Sequence, residues 1–338
     1  MDLALTDEQR ALVASFESLL AKESPPERVR AAEPSGFDPR LWQALLDVGV
    51  VEMAAAEAKG GSGADLLDLA LVAERVGAAA ASAPVIEAQC AVRLLGSLPG
   101  ADLRSALSGE RLVTLAVRPA RRGHAMLVPA GAVADDVLVL EDDRLLFVQP
   151  AEDGRRAVAN LASAPLADLD LSRCAATELC SGAEARAWYE AALDEWLVLT
   201  GAALVGLAAR AHHLTCSYAR ERRTWNVPIG SYQAISHPLA DGRTALDGAR
   251  LLIAYAACEL AQGSARGPEL AAMAFGFAAE TARDVTYDAV HFHGGFGFTL
   301  ESEVQLHYRR ARGWARVWDE PRAAYRRAAG AVSPAQPA

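Results

Sequence analysis

Glu221 to His237 reads ERRTWNVPIGSYQAISH, and it joins two long helical patterns with more polar chemistry than a turn between helices requires. Arg222 and Arg223 carry forked donors that match phosphate oxygens. Trp225 offers a flat face, and Gln233 an amide that both donates and accepts. Pro228, Ile229 and Gly230 mark a bend between them. Each residue alone reads as part of a solvated loop. Together, within a dozen positions, they read as a contact for a large, flat, phosphate-bearing ligand.

Upstream of this stretch, Ala183 to Arg222 is a nearly unbroken helical pattern, apolar on almost all sides between Leu197 and Ala209. A helix of that kind is buried in a bundle. Downstream, the spacing predicts helices from Tyr232 to Gln262, from Pro268 to Phe292 and from Glu301 to Arg312, with the loop HGGFGF at 293–298 before the last. These four helices predict a C-terminal four-helix bundle over 183–338.

The remaining chain divides in two. Residues 1–108 read as an N-terminal helical domain. Thr6 and Gln9 form a capping-box pattern with Leu5 beside it, and Asp38-Pro39 stands in N-cap and N1 order. The glycines at 60, 61 and 63 form a loop that follows no strand, so they are not a dinucleotide fingerprint. Residues 109–182 hold short β-rich runs at 112–117, 125–129, 136–140, 144–149 and 166–171, the third and fourth joined by a Glu141-Asp142-Asp143 turn. The fold class is therefore mainly α with a small, barrel-like and mostly antiparallel middle β-domain.

Composition excludes several classes. The 338 residues carry a net charge of −10, which argues against nucleic acid as a partner. Arginine clusters at 118–122, 220–223 and 309–316 are local. MDLALTDEQRALV has no basic start and apolar core, and no window reaches the roughly 18 uninterrupted apolar residues of a membrane span. Five cysteines, an odd number without paired ligand spacing, imply neither a disulfide framework nor a zinc site. The expectation is a cytoplasmic protein with free thiols, no metal and a frayed C-terminal Ala-Val-Ser-Pro-Ala-Gln-Pro-Ala.

ERRTWNVPIGSYQAISHPLAD resembles the bundle motif of the acyl-CoA dehydrogenase family, Arg-x-x-aromatic followed by Pro-Ile and aromatic-Gln. HFHGGFGFTLESEVQLHYRRAR resembles its second signature, His-Gly-Gly-x-Gly-aromatic-Thr before a basic helix. The order helices, small β-domain, four-helix bundle is also that family's. The resemblance implies FAD lying between subunits. It assigns Arg222 to the pyrophosphate, with Thr224 and Trp225 beside it, and assigns Gln233, His293 and the backbone of Gly294, Gly295 and Gly297 to the rest of the dinucleotide. Glycine lets main chain approach a phosphate or ribose closely. Two of the three glycines would suffice for a helix cap and turn.

The chain departs from the family pattern in two places. The β-domain lacks the Thr-Glu-Pro…Gly-Ser-Asp stretch and the later aromatic-x-Thr segment that hold the flavin, reading LVTLAVRPARRGHAMLVPAGAVADD instead. The Glu-Gly-Thr stretch that supplies the base in many members is replaced by Trp318-Asp319-Glu320-Pro321, where Glu320 reads as a helix cap. Glu195, in Leu-Asp-Glu-Trp-Leu-Val-Leu, is the remaining candidate catalytic base. It fits the family's alternative glutamate only after a one-residue slip, a rotation of about 100° on a helix.

The resemblance points to the shorter, degenerate subunit of an α2β2 acyl-CoA dehydrogenase, of the actinobacterial type that acts on steroid side-chain CoA thioesters. It implies an acyl-CoA substrate and an electron-transfer flavoprotein as acceptor. A self-sufficient homo-oligomer using Glu195 is the second reading, and a helical scaffold without FAD the third.

Overall fold

Thr6 accepts the Gln9 amide through its hydroxyl, and the Gln9 side chain accepts the Thr6 amide, so the capping box opens α1 (Asp7–Glu23). A computed structural model describes residues 4–332. Next come α2 (Pro26–Ala32) and α3 (Pro39–Asp47), the latter opened by Asp38, which accepts the Arg40 and Leu41 amides. Then follow α4 (Leu66–Ala78), α5 (Val85–Ser97) and the short α6 (Arg104–Leu107).

The middle of the chain forms two sheets. β1 (Val113–Leu115), β3 (Asp136–Glu141), β4 (Arg144–Gln149) and β7 (Ala175–Ser181) make one of four strands. β2 (His124–Val128), β6 (Ala167–Asp170) and β5 (Arg155–Ala157) make one of three. The expected β3–β4 hairpin is present, with Asp142 left-handed at φ 55° in its two-residue loop. The pairing of β1 with β3 is parallel and the other pairings of the two sheets are antiparallel, as in the mostly antiparallel reading. Leu115, Leu138, Leu145 and Leu169 are fully buried, and the Arg111 guanidinium grips buried Asp136 at 2.5 and 2.6 Å.

The C-terminal region begins with the 40-residue α7 (Gly182–Glu221) and continues through α8 (Gln233–Ala261), α9 (Gly267–Phe292) and α10 (Glu303–Trp314). A fifth helix, α11 (Pro321–Val332), joins the expected four, so the first two residues of the supposed tail are helical; the rest lie outside the described residues. By length and composition α7 could cross a membrane, but 89% of its most apolar window is buried inside the protein, as in a core helix. Trp196 to Ala208 are buried without exception.

Contacts divide the chain into two compact units. One comprises Met1–Pro26, Ala70–Ala81 and Val198–Ala338; the other comprises Glu27–Leu69 and Ser82–Leu197. In the first unit α8, α10 and α11 all pack on α9. The last turns of α4 cross α7 at glycines: a Cβ on Gly77 would strike the Ala203 carbonyl, and one on Gly206 the Glu74 carbonyl. Such contact brings backbones together at a spacing only glycine permits. Arg310 then donates to the Ala80 carbonyl and the His307 ring contacts that of Ala78, satisfying carbonyls at the end of α4. In the second unit α5 packs on β1, and Arg93 of α5 reaches Glu195 on the first part of α7.

Candidate functional site

Glu221 ends α7 because the chain then turns back as a hairpin, β8 (Arg223–Thr224) against β9 (Val227–Pro228). Its two tip residues, Trp225 and Asn226, have φ of 53° and 68°. Two consecutive left-handed residues are what a tight hairpin of this hand demands, and Asn-Gly is the usual pair. A tryptophan there is strained, and such strain gathers at ligand clamps. The bend foreseen at Pro228-Ile229-Gly230 is instead a 3₁₀ turn over Ile229–Ser231 that leads into α8.

Internal bonds fix the hairpin. The Ile229 amide donates to the Arg222 carbonyl at 2.8 Å, the Tyr232 hydroxyl to the Thr224 carbonyl at 3.1 Å, and Arg223 Nη1 to the Asn226 carbonyl at 3.0 Å. Arg223 is thus spent on the turn. The Arg222 guanidinium, the Thr224 hydroxyl and the Gln233 amide are exposed and have no hydrogen-bond partner among the described residues. Trp225 is 88% exposed.

The second motif begins where α9 ends. His293 is 8% exposed: its Nδ1 donates to the Ala289 carbonyl at 2.7 Å, and its ring stacks on Tyr218 of α7, centroids 4.3 Å apart. Burial holds the imidazole below its usual pKa, which keeps it neutral. The ring expected to touch a ligand is therefore turned inwards, and what it does is fasten the loop to α7 one turn before Arg222. Ala211, Ala289, Val290 and Val304 form a buried cluster with Leu214 and Tyr308 packed against it.

Gly294 to Phe298 form a 3₁₀ turn. Gly294 is left-handed at φ 62°, as a helix-ending glycine should be, and a Cβ on Gly297 would collide with the Val290 carbonyl. Gly295 has neither reason: its φ is ordinary and its Cβ position meets nothing within 4 Å. Beside it Phe298 and Leu300 are 76% and 74% exposed. The structure thus places Arg222, Thr224 and Trp225 on or beside one hairpin, sets Gln233 at the start of α8 just beyond it, and fixes Gly294, Gly295 and Gly297 through His293 to the helix that leads into it.

Glu195 belongs to the second unit. Both its oxygens are held by Arg93, Nε and Nη2 each at 2.8 Å. Glu320 does not cap α11 with its side chain; its carboxylate lies 3.2 Å from Arg316 while its carbonyl accepts the Ala323 amide. Trp318 packs edge-on against Phe275. A residue not singled out in the sequence is Glu87 on α5, half-buried, whose carboxyl burial pushes up to about 7. A lone glutamate in an apolar helix gives no signal of this in sequence.

Residues 6–97 match the acyl-CoA dehydrogenase N-terminal domain and residues 188–317 the acyl-CoA dehydrogenase C-terminal domain. The acyl-CoA dehydrogenase IpdE2 of Mycobacterium tuberculosis is 30% identical over 325 residues, covering 95% of this chain and 96% of that protein. The ChsE4-ChsE5 complex from Mycobacterium tuberculosis contains a chain with a TM-score of 0.89 and 26% identity, covering 99% of this chain and 100% of that one. The Tcur3481-Tcur3483 steroid acyl-CoA dehydrogenase variant gives 0.88 and 23%, over 96% of this chain and 98% of that one. With both family domains matched in order and a relative alike over its whole length, this chain belongs to the acyl-CoA dehydrogenase family.

Proposed function

We infer that this chain is one subunit of a FAD-dependent acyl-CoA dehydrogenase that forms the α,β double bond of an acyl-CoA thioester. It lends the pyrophosphate and adenosine half of a FAD site to a second dehydrogenase-like chain in an α2β2 assembly. The observation that carries this is the set of exposed, unspent donors between Arg222 and Gln233, on the hairpin and the start of α8, with an exposed and strained tryptophan at the hairpin tip. The residues fit the group: Arg222 suits a pyrophosphate, Trp225 a flat ring, and Gly295 leaves open backbone where a ligand could approach. Bound flavin would supply the hydride acceptor.

The chain's own residues hold the phosphates and bury the cofactor's outer half. Glu195 is not assigned as the base. Arg93 holds both oxygens of Glu195 in a bidentate ion pair, so using that carboxylate as a mobile base at Cα would break the pair. A self-sufficient enzyme using Glu195 is thereby disfavoured, and the base is assigned to the partner chain. A steroid side-chain CoA thioester is the proposed substrate, supported by the likeness to a steroid acyl-CoA dehydrogenase. An electron-transfer flavoprotein is the proposed acceptor and the cytoplasm the proposed location.

The test is a visible spectrum of the chain expressed alone and together with a dehydrogenase-like chain encoded beside it. Flavin absorbance is expected only in the joint preparation, and Arg222→Gln should weaken flavin retention there by about tenfold or more. Flavin bound to the chain alone would remove the partner reading. No flavin in either preparation would remove the enzyme readings altogether.

A further inference from the structure

A cleft of about 700 Å³ lies among α9, α10 and α11, away from the hairpin and glycine loop. Five arginines and two glutamates line it, over a floor of small residues that includes Ala279, Ala311 and Ala315. Some of the charge is already matched. Arg283 Nε lies 2.7 Å from Asp284, Arg316 lies 3.2 Å from Glu320, and Glu280 accepts the Tyr325 hydroxyl at 2.8 Å. Arg312, Arg322 and Arg326 have no carboxylate partner among the described residues; Arg312 lies over the Tyr308 ring instead.

The spacing sharpens the imbalance. Arg322 and Arg326 stand four apart on α11, and Arg312 lies on the last turn of α10. Like charges at that helical spacing repel and destabilise. That pair and Arg312 open on one cleft, in a chain whose net charge is −10. The N-terminus of the twelve-residue α11, at Pro321, adds its positive end to the same wall. Forked guanidinium groups match the oxygens of phosphate bidentately, and several facing one cleft suit an anion of more than one charge.

We propose that this cleft binds the phosphoryl groups of a nucleotide, as a di- or oligophosphate anion held by Arg312, Arg322 and Arg326. Its bearer is either the nucleotide end of a CoA thioester or a free nucleoside diphosphate. The site is separate from Arg222 and does not depend on the role proposed for it.

Calorimetric titration of the full chain with pyrophosphate at fixed ionic strength tests the proposal. The titration is made in the Arg222→Gln background, which removes the hairpin's own phosphate donor; binding is expected there, with a loss of at least tenfold when Arg322→Gln/Arg326→Gln is added. Circular dichroism should show the double variant folded. The charge-keeping Arg322→Lys/Arg326→Lys variant should retain part of the affinity. A tenfold preference for CoA over dephospho-CoA assigns the site to the CoA 3′-phosphate, and equal affinity for both and for ADP assigns it to a diphosphate. Pyrophosphate binding unchanged in the double variant, or no binding beyond that of chloride at equal ionic strength, overturns the proposal.

Discussion

The His293 ring lies stacked on the Tyr218 ring, 4.3 Å between centroids and 19° between planes. Tyr218 stands one helical turn before Arg222, whose amide donates to its carbonyl at 2.8 Å, and His293 directly precedes Gly294. One aromatic contact therefore ties together two motifs far apart in sequence. Tyr218→Leu should cost about 1 kcal/mol, the usual worth of such a pair beyond its burial. Calorimetry of the variant should show only a small drop in Tm. Flavin content in the joint preparation should fall more steeply, because the glycine loop is no longer held beside the hairpin. Undiminished flavin would mean that the two motifs do not act as one surface.

The glycine loop separates folding from binding residue by residue. Gly297→Ala forces a methyl group against the Val290 carbonyl and should destabilise the chain by roughly 1–3 kcal/mol, measured by urea unfolding. Gly295→Ala meets nothing and should change stability by no more than about 0.5 kcal/mol. It should nevertheless lower flavin retention in the joint preparation. If Gly295→Ala retains flavin fully, the open backbone at that position has no ligand-facing purpose.

The helices of the C-terminal region were legible because their apolar residues repeat over many turns, and the hairpin motif because its polar residues have no use inside a bundle. Other features left no trace that could be read. β7 is exposed along almost its whole length, so Ala175–Ser181 lacks the alternation that marks a half-buried strand. Gly77 and Gly206 look like weak points in helices, yet they are where α4 and α7 touch. Arg93 and Glu195 are on separate elements, and no local pattern pairs them. The inward turn of His293 depends on Tyr218, which nothing in the glycine motif announces.

Glu195→Gln distinguishes a structural carboxylate from a catalytic one. Removing one partner of a fully buried ion pair costs about 3–5 kcal/mol, and exposed pairs are worth little. The Arg93 and Glu195 side chains are 25% and 20% exposed, so a loss of about 1–2 kcal/mol is expected. The joint enzyme should keep kcat within about threefold, whereas loss of a general base lowers rates by roughly 10²–10⁴. A large fall in kcat with unchanged Tm would return Glu195 to the role of base and weaken the two-chain reading.

Glu87 gives the chain a pH dependence opposite in sign to that of His293. Burial, partly offset by a backbone hydrogen bond and by Trp196, raises its carboxyl from 4.5 to about 7. A raised carboxyl is protonated in the folded chain while the unfolded chain is already ionised. Its stabilising share is complete below 4.5 and is lost as pH climbs through about 7. Glu87→Gln, neutral throughout, should therefore match the natural chain at pH 5. At pH 8 the variant should be more stable by up to about 3 kcal/mol. His293 and His307, both held low by burial, act the other way: their share is complete above 6.5 and is lost as pH falls below it. Urea midpoints of the two chains at pH 5 and pH 8 read the Glu87 contribution directly, since the histidines are common to both. An equal gap at the two pH values would show that Glu87 stays ionised in the folded protein.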